Sequence, residues 1–181
     1  MIYVIRHGQT SLNLERKYNS IIDEDINERG IEQAKMAASQ IKDLHIDIAY
    51  CSPLLRTRHT FELLGLTNVP VFYDDRIIER DAGELTGQVK TDENFEIFNS
   101  MTRENEIKGC ESTDNVFSRV KSLLNEIKVT YADKNILLVT HGGVARVIYY
   151  CFNDIPEDKN LGRYIAENCN VASYDLKNLR N

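Results

Sequence analysis

The segment "NILLVT", residues 135–140, limits the possible folds more than any other part of the chain. It has no polar residue between Asn135 and Thr140, so as a strand it has no face to give to water. "MIYVI" at residues 1–5 has the same character. Strands that are apolar on both sides need cover on both sides, and a parallel sheet between two helix layers provides it.

The intervening segments supply the helices. In "INERGIEQAKMAASQIKDL" (26–44), Ile31, Ala34, Ala38, Ile41 and Leu44 recur at helical spacing. Asn27 is placed to cap that helix, with Ile26 and Ile31 as a hydrophobic staple. "TDNVFSRVKSLLNEIKVTY" (113–131) carries a stripe of Val116, Phe117, Val120, Leu123, Leu124 and Ile127. In "SPLLRTRHTFELL" (52–64), Ser52 is expected to cap a helix and Pro53 to take its first position. "GGVARVIYYCF" (142–152) reads as a further helix. "IDIAYCS" (46–52), "VPVFYDDRIIER" (69–80) and "VASYDL" (171–176) read as extended. The expectation is an α/β fold: one domain over residues 1–181, a three-layer α/β/α sandwich with a mostly parallel central sheet. Residues 83–110 are polar, with one helical patch at "FEIFNSM", and are expected to form an excursion over the site.

Composition narrows the partners. With 28% charged residues and a net charge of −6, the chain lacks the basic surface that nucleic acid or an anionic membrane requires. Cys51, Cys110, Cys151 and Cys169 show no CxxC spacing, which points to neutral thiols in a reducing compartment. The first apolar run has no charged segment before it and reads as a strand, not a signal peptide. No stretch approaches the length of a membrane span. A cytoplasmic location is the expectation, with no nucleic-acid and no membrane partner. Oligomeric state is not legible.

In open α/β sheets, ligands bind beyond the carboxyl ends of the strands. The first strand ends in Arg6-His7-Gly8 and the segment 135–140 in His141-Gly142-Gly143. Arg56 lies in the first turn of the helix after the second strand, and Glu79 near the end of the third. Each alone reads as a structural histidine, a surface ion pair or a solvated acid. Together, if the strands are parallel, they gather at one edge. Gly8, Gly142 and Gly143 would let backbone N–H groups approach a ligand, and the helix that follows would offer an anion its positive end. His45 and His59 read as structural or exposed. Zinc held by His7, His59 and His141 is disfavoured: no metal-binding motif is present, and two arginines would repel a cation.

The run "RHGQTSLN" (6–13) resembles the signature of the histidine phosphatase superfamily, the phosphoglycerate mutase-like family. "INERGIEQA", "CSPLLRTRHT", "ERDAGELTG", "GCES" and "LLVTHGG" resemble that family's later motifs, in its order, over roughly residues 1–150. The resemblance implies that His7 is a nucleophile that takes the phosphoryl group. Arg6, Arg56, His141 and Gly142 would surround the phosphate, and Asn13 would add a contact. Glu79 would give a proton to the leaving oxygen and later activate water, with Asp81 and Glu84 as fallback acids. No cofactor and no metal are implied, so activity should survive a chelator. The chemistry is consistent: guanidinium forks match phosphate oxygens, and nearby cations keep an imidazole neutral and nucleophilic.

The implied activity is hydrolysis of a small phosphomonoester. "ERDAGELTGQVK" is mutase-like, with Glu79, Arg80, Gly83, Leu85, Thr86, Gly87 and Lys90 in the places the mutase loop has them, while Ala82 stands in place of its tyrosine. The adjacent arginine pair of the mutases is absent: only Arg103 and Lys108 lie between Lys90 and Glu111. Phosphoglycerate mutase-type transfer is therefore the alternative, and a non-catalytic phosphate-binding domain a third reading.

Overall fold

A computed structural model, describing residues 1–180, shows a five-stranded sheet in the order β3-β2-β4-β1-β5. The strands are β1 (Ile2–Arg6), β2 (Ile48–Cys51), β3 (Val71–Tyr73), β4 (Ile136–Thr140) and β5 (Val171–Tyr174). The first four are mutually parallel, and β5 pairs antiparallel to β1. The helices are α1 (Ser11–Leu14), α2 (Glu28–Ile41), α3 (Leu55–Leu63), α4 (Asp92–Asn99), α5 (Thr113–Thr130) and α6 (Gly142–Phe152).

Strand alternation divides the core between two faces. Ile2, Val4, Ile136 and Leu138 pack with Val116, Val120, Leu123, Leu124 and Ile127 of α5 and Val144, Val147 and Ile148 of α6. Ile5, Leu137 and Val139 point the other way, onto Ala34, Ala37 and Ile41 of α2 and Phe61 of α3. β4 is buried at all five positions, as its continuous apolar run requires. The sandwich therefore has the three layers that the sequence calls for.

Two helix expectations need correction. The buried face of α2 includes Gly30 and Ala37, while Ile31 and Ala38 are only half-buried. Asn27 does cap this helix, its side chain accepting from Gly30 N at 2.9 Å. Helix α3 starts at Leu55, with Leu54 at the cap position and no side-chain cap of its own. Its orphan N–H at Leu55 donates instead to Asp23 Oδ1, 2.6 Å away. Ser52 is free of capping because its hydroxyl has another partner, described below. The third strand ends at Tyr73, and a 3₁₀ turn at Asp75–Ile77 separates it from Glu79.

The excursion shares a cleft with Arg6 and His7 at the carboxyl end of β1, through Lys90, Phe95 and Phe98. Its small core joins Tyr18, Ala82, Phe98 and Ile107, and α4 within it is closed by a Thr91–Asn94 capping box.

Candidate active site

The helices after β1 and β4 leave for opposite faces of the sheet: α2 packs on one side and α6 on the other. Adjacent parallel strands whose connections diverge open a crevice at their carboxyl ends. The β1–β4 register pairs Arg6 with Thr140, so the next residue on each strand is a histidine. His7 and His141 thus meet at that crevice, with ring centroids 5.3 Å apart.

The hydrogen bonds of the two rings set their chemistry. His7 Nδ1 lies 2.7 Å from Gly8 O. A carbonyl can only accept, so Nδ1 carries the proton and Nε2 keeps its lone pair. His141 Nε2 lies 2.7 Å from Ser52 Oγ. With the Ser52 hydroxyl donating, His141 Nδ1 carries a proton and is a donor. Burial, then Arg56, then Arg6 hold the His7 pKa well below the ordinary 6.5. His141 is lowered in the same way by burial, Arg56, His7 and Arg6.

Both arginines are oriented by backbone. Arg56, fully buried, donates from Nη1 to Ile22 O at 2.6 Å and from Nη2 to Ser20 O at 2.8 Å. Arg6 donates from Nη1 to Ala166 O at 2.8 Å. Neither has an ion-pair partner among the described residues. Three buried side-chain nitrogens have no hydrogen-bond partner among the described residues: Arg6 Nε, Arg56 Nε and His141 Nδ1. All three belong to groups around His7. Leaving a buried donor unpaired costs about 1–3 kcal/mol, and an anion with several oxygens seated over His7 would relieve that cost.

Glu79 faces this group with its carboxylate held at the start of α6. Its Oε1 accepts from Arg80 N at 2.9 Å, and its two oxygens accept from Gly143 N at 3.2 and 3.3 Å. A Cβ at Gly143 would lie 2.7 Å from Glu79 Oε1, so a side chain there would displace the carboxylate. Asn13 also lines the cleft; its Nδ2 donates to Asn19 Oδ1 at 2.7 Å. Gly142 packs against the Arg6 guanidinium. Arg56 and His141 sit behind the cleft surface, with no exposed area.

Two readings change. Gly8 does not make room for a ligand: a Cβ there would lie 2.5 Å from Gly30 O, so its space is taken by the first turn of α2. The fallback acids are occupied elsewhere. Asp81 Oδ1 accepts from Ser20 Oγ and Gly83 N, and Glu84 is exposed and accepts from Lys108 N. His59 pairs with Asp25 at 2.9 Å and does not join His7 and His141. Among the described residues no three His, Cys, Asp or Glu side chains cluster as metal ligands.

Several contributors escaped sequence reasoning. Ser52 was masked by its likeness to a cap. Tyr18, Asn19, Ser20, Phe95, Phe98, Arg146 and Ile165 line the cleft of about 720 Å³, open mouth included, but carry no strand-end signal. The segment 164–168 braces three site groups in turn. Tyr164 O accepts from Arg146 Nε, Ala166 O from Arg6, and Asn168 Nδ2 donates to His7 O. Among the described residues no helix is long and apolar enough to cross a membrane.

A sequence profile of the histidine phosphatase superfamily (branch 1) matches residues 2–180. Phosphoserine phosphatase 1 of Hydrogenobacter thermophilus is 30% identical over 97% of this chain and 84% of its own. Phosphoglycerate mutase-like protein 4 of Arabidopsis thaliana is 32% identical over 82% of this chain and 69% of its own. The solved structure of a mycobacterial glucosyl-3-phosphoglycerate phosphatase superimposes with a TM-score of 0.81 at 22% identity, covering 99% of this chain and 94% of that one.

Proposed function

This chain belongs to the histidine phosphatase superfamily, and from that premise we propose that it hydrolyses small phosphomonoesters through a phosphohistidine on His7. The observation that carries the reading is the set of three unpartnered buried nitrogens, Arg6 Nε, Arg56 Nε and His141 Nδ1, grouped around a neutral imidazole. Phosphatase relatives, among them the phosphoserine phosphatase of Hydrogenobacter thermophilus, support it.

The steps use groups already in place. Arg6, Arg56 and His141 Nδ1–H bind the non-bridging oxygens and take up the charge that spreads over them. Gly142, beside the Arg6 head at the positive end of α6, supports the same anion, and Asn13 contacts it from α1. His7 Nε2 attacks phosphorus while the ester P–O bond breaks, and the bond to Gly8 O keeps the reactive nitrogen free of its proton. Glu79 gives its proton to the departing alkoxide. Water then surrenders a proton to Glu79 and attacks the phosphohistidine, which releases inorganic phosphate and restores both groups. A positioned acid–base residue of this kind contributes ~10²–10⁴-fold.

Phosphoglycerate mutase-type transfer shares the first half of this sequence, and the second reading rests on Lys90 lining the cleft. A generic aryl phosphate tests the enzyme reading: wild type should release the phenol and His7→Ala should not. Equal background rates would refute it in favour of a phosphate-binding domain. Incubation with 3-phosphoglycerate separates the two enzyme readings, since a phosphatase yields free phosphate and a mutase yields 2-phosphoglycerate.

A further inference from the structure

Arg56 is aimed by one short loop. Its Nη1 donates to Ile22 O at 2.6 Å and its Nη2 to Ser20 O at 2.8 Å. The direction of the guanidinium therefore depends on what holds residues 20–22. Backbone hydrogen bonds tie Arg16 and Tyr18 to Gly87, Gln88 and Lys90. Past Tyr18 that pairing ends, and the tie passes to a side chain. Ser20 Oγ donates to Asp81 Oδ1 at 3.1 Å and accepts from Ala82 N at 2.9 Å. Asp81 Oδ1 also accepts from Gly83 N at 2.9 Å, and its carbonyl accepts from Glu111 N at 3.0 Å. Ser20 has a φ of +49°, a conformation that a residue with a Cβ keeps only where its surroundings impose it. The two hydrogen bonds of its hydroxyl are such a constraint.

Asp81 is not among the residues that line the cleft. Its Oδ1 makes both side-chain bonds, and its Oδ2 accepts from no described residue. Ser20 does line the cleft, but its hydroxyl is committed to Asp81 and Ala82. Asp81 follows two residues after Glu79, whose carboxylate is anchored by Arg80 N and Gly143 N. The link thus joins Arg56, on α3, to the segment that carries Glu79. One group faces the non-bridging oxygens and the other the leaving oxygen, so their separation has to match a single phosphoester. We propose that Asp81 and Ser20 are positioning residues, a link that holds the Arg56 guanidinium in register with Glu79. What the link needs from Asp81 is an acceptor oxygen, not a charge. The inference rests on the phosphomonoesterase reading.

Aryl phosphate turnover by Asp81→Ala, Asp81→Asn, Ser20→Ala and Ser20→Gly tests it. Misplacing a clamp by a fraction of an ångström to one ångström predicts kcat/KM about 10- to 100-fold below wild type in Asp81→Ala and in Ser20→Ala. Asp81→Asn keeps an acceptor oxygen in place and should retain most of the wild-type value. An Asp81→Asn variant as impaired as Asp81→Ala, or an Asp81→Ala variant as active as wild type, overturns the inference. The Ser20 pair separates positioning from stability. Glycine suits the positive φ, so Ser20→Gly should have a higher urea midpoint than Ser20→Ala, yet both should show the same loss of turnover. Activity that follows the midpoint, with Ser20→Gly near wild type, would also overturn it. Should Asp81→Ala fold poorly, the Ser20 pair decides. If wild type does not turn over aryl phosphate, the phosphomonoesterase reading has failed. Calorimetric binding of inorganic phosphate then tests the link alone, with Asp81→Asn expected to bind like wild type and Asp81→Ala more weakly. Equal binding by all three, or none by wild type, overturns the link as well.

Discussion

At the scale of single residues, reactivity at His7 comes from two separate devices. The Gly8 carbonyl fixes which ring nitrogen is free, and burial with Arg56 and Arg6 keeps the ring unprotonated. The predicted consequence is an acidic limb of kcat/KM that lies well below pH 6.5, the ordinary imidazole value; a limb at or above that value would mean the arginines do not act on His7. Lys90, on the cleft wall, is shifted downward as well. Burial, then Arg6, lowers its pKa to about 8, with Arg146 and Arg16 adding to the shift and Glu79 opposing it. The residues legible in the sequence were those at strand ends, because pairing β1 with β4 brings Arg6, His7 and His141 together whatever else the chain does. Ser52 and Arg146 were not legible. One looks like a helix cap, and the other is an ordinary helix position until Tyr164 and Asn99 fix its head.

At the scale of elements, the site depends on backbone passing close to backbone. The loop after β1 meets the first turn of α2 where Gly8 and Gly30 face each other, and a Cβ on Gly30 would lie 2.3 Å from Gln9 O. Gly8→Ala should therefore lower stability by about 1–3 kcal/mol, the usual range for overpacking, read as a lower urea midpoint with an unchanged slope. An unchanged midpoint would show that the loop can move aside. Long amphipathic helices were the most legible elements: the predicted stripe of α5 is fully buried apart from Phe117, which is half-buried. The start of α3 was not legible, because its capping acceptor is Asp23, 32 residues away along the chain. Tertiary contact decided that boundary, where local propensity pointed to Ser52.

Taken whole, the molecule places costly groups at the crevice between β1 and β4. Two neutral buried histidines make that cost depend on pH. Below 6.5 the unfolded chain takes up protons that native His7 and His141 refuse. Stability should then be full above that pH and fall as pH drops toward their lowered native values. The melting temperature should decline between pH 7 and pH 5.5, and His7→Asn/His141→Asn should flatten the decline. A flat wild-type profile would contradict the assignment of both rings as neutral. The mostly parallel sheet and the polar ends of its strands could be anticipated, since apolar strands and the residues that follow them are written locally. The far wall of the cleft could not, since it is assembled from the excursion, α6 and the 164–168 segment.

The most direct test of the phosphohistidine account uses Glu79→Gln with an activated aryl phosphate, whose phenolate departs without needing a proton. His7 should be phosphorylated at a normal rate, while water, lacking its base, should attack slowly. The account predicts a burst of one equivalent of phenolate and, in alkaline quench, a phosphate on His7 that is stable to base and labile to acid. Steady release with no burst and no labelled His7, in a variant whose parent turns over, would contradict it.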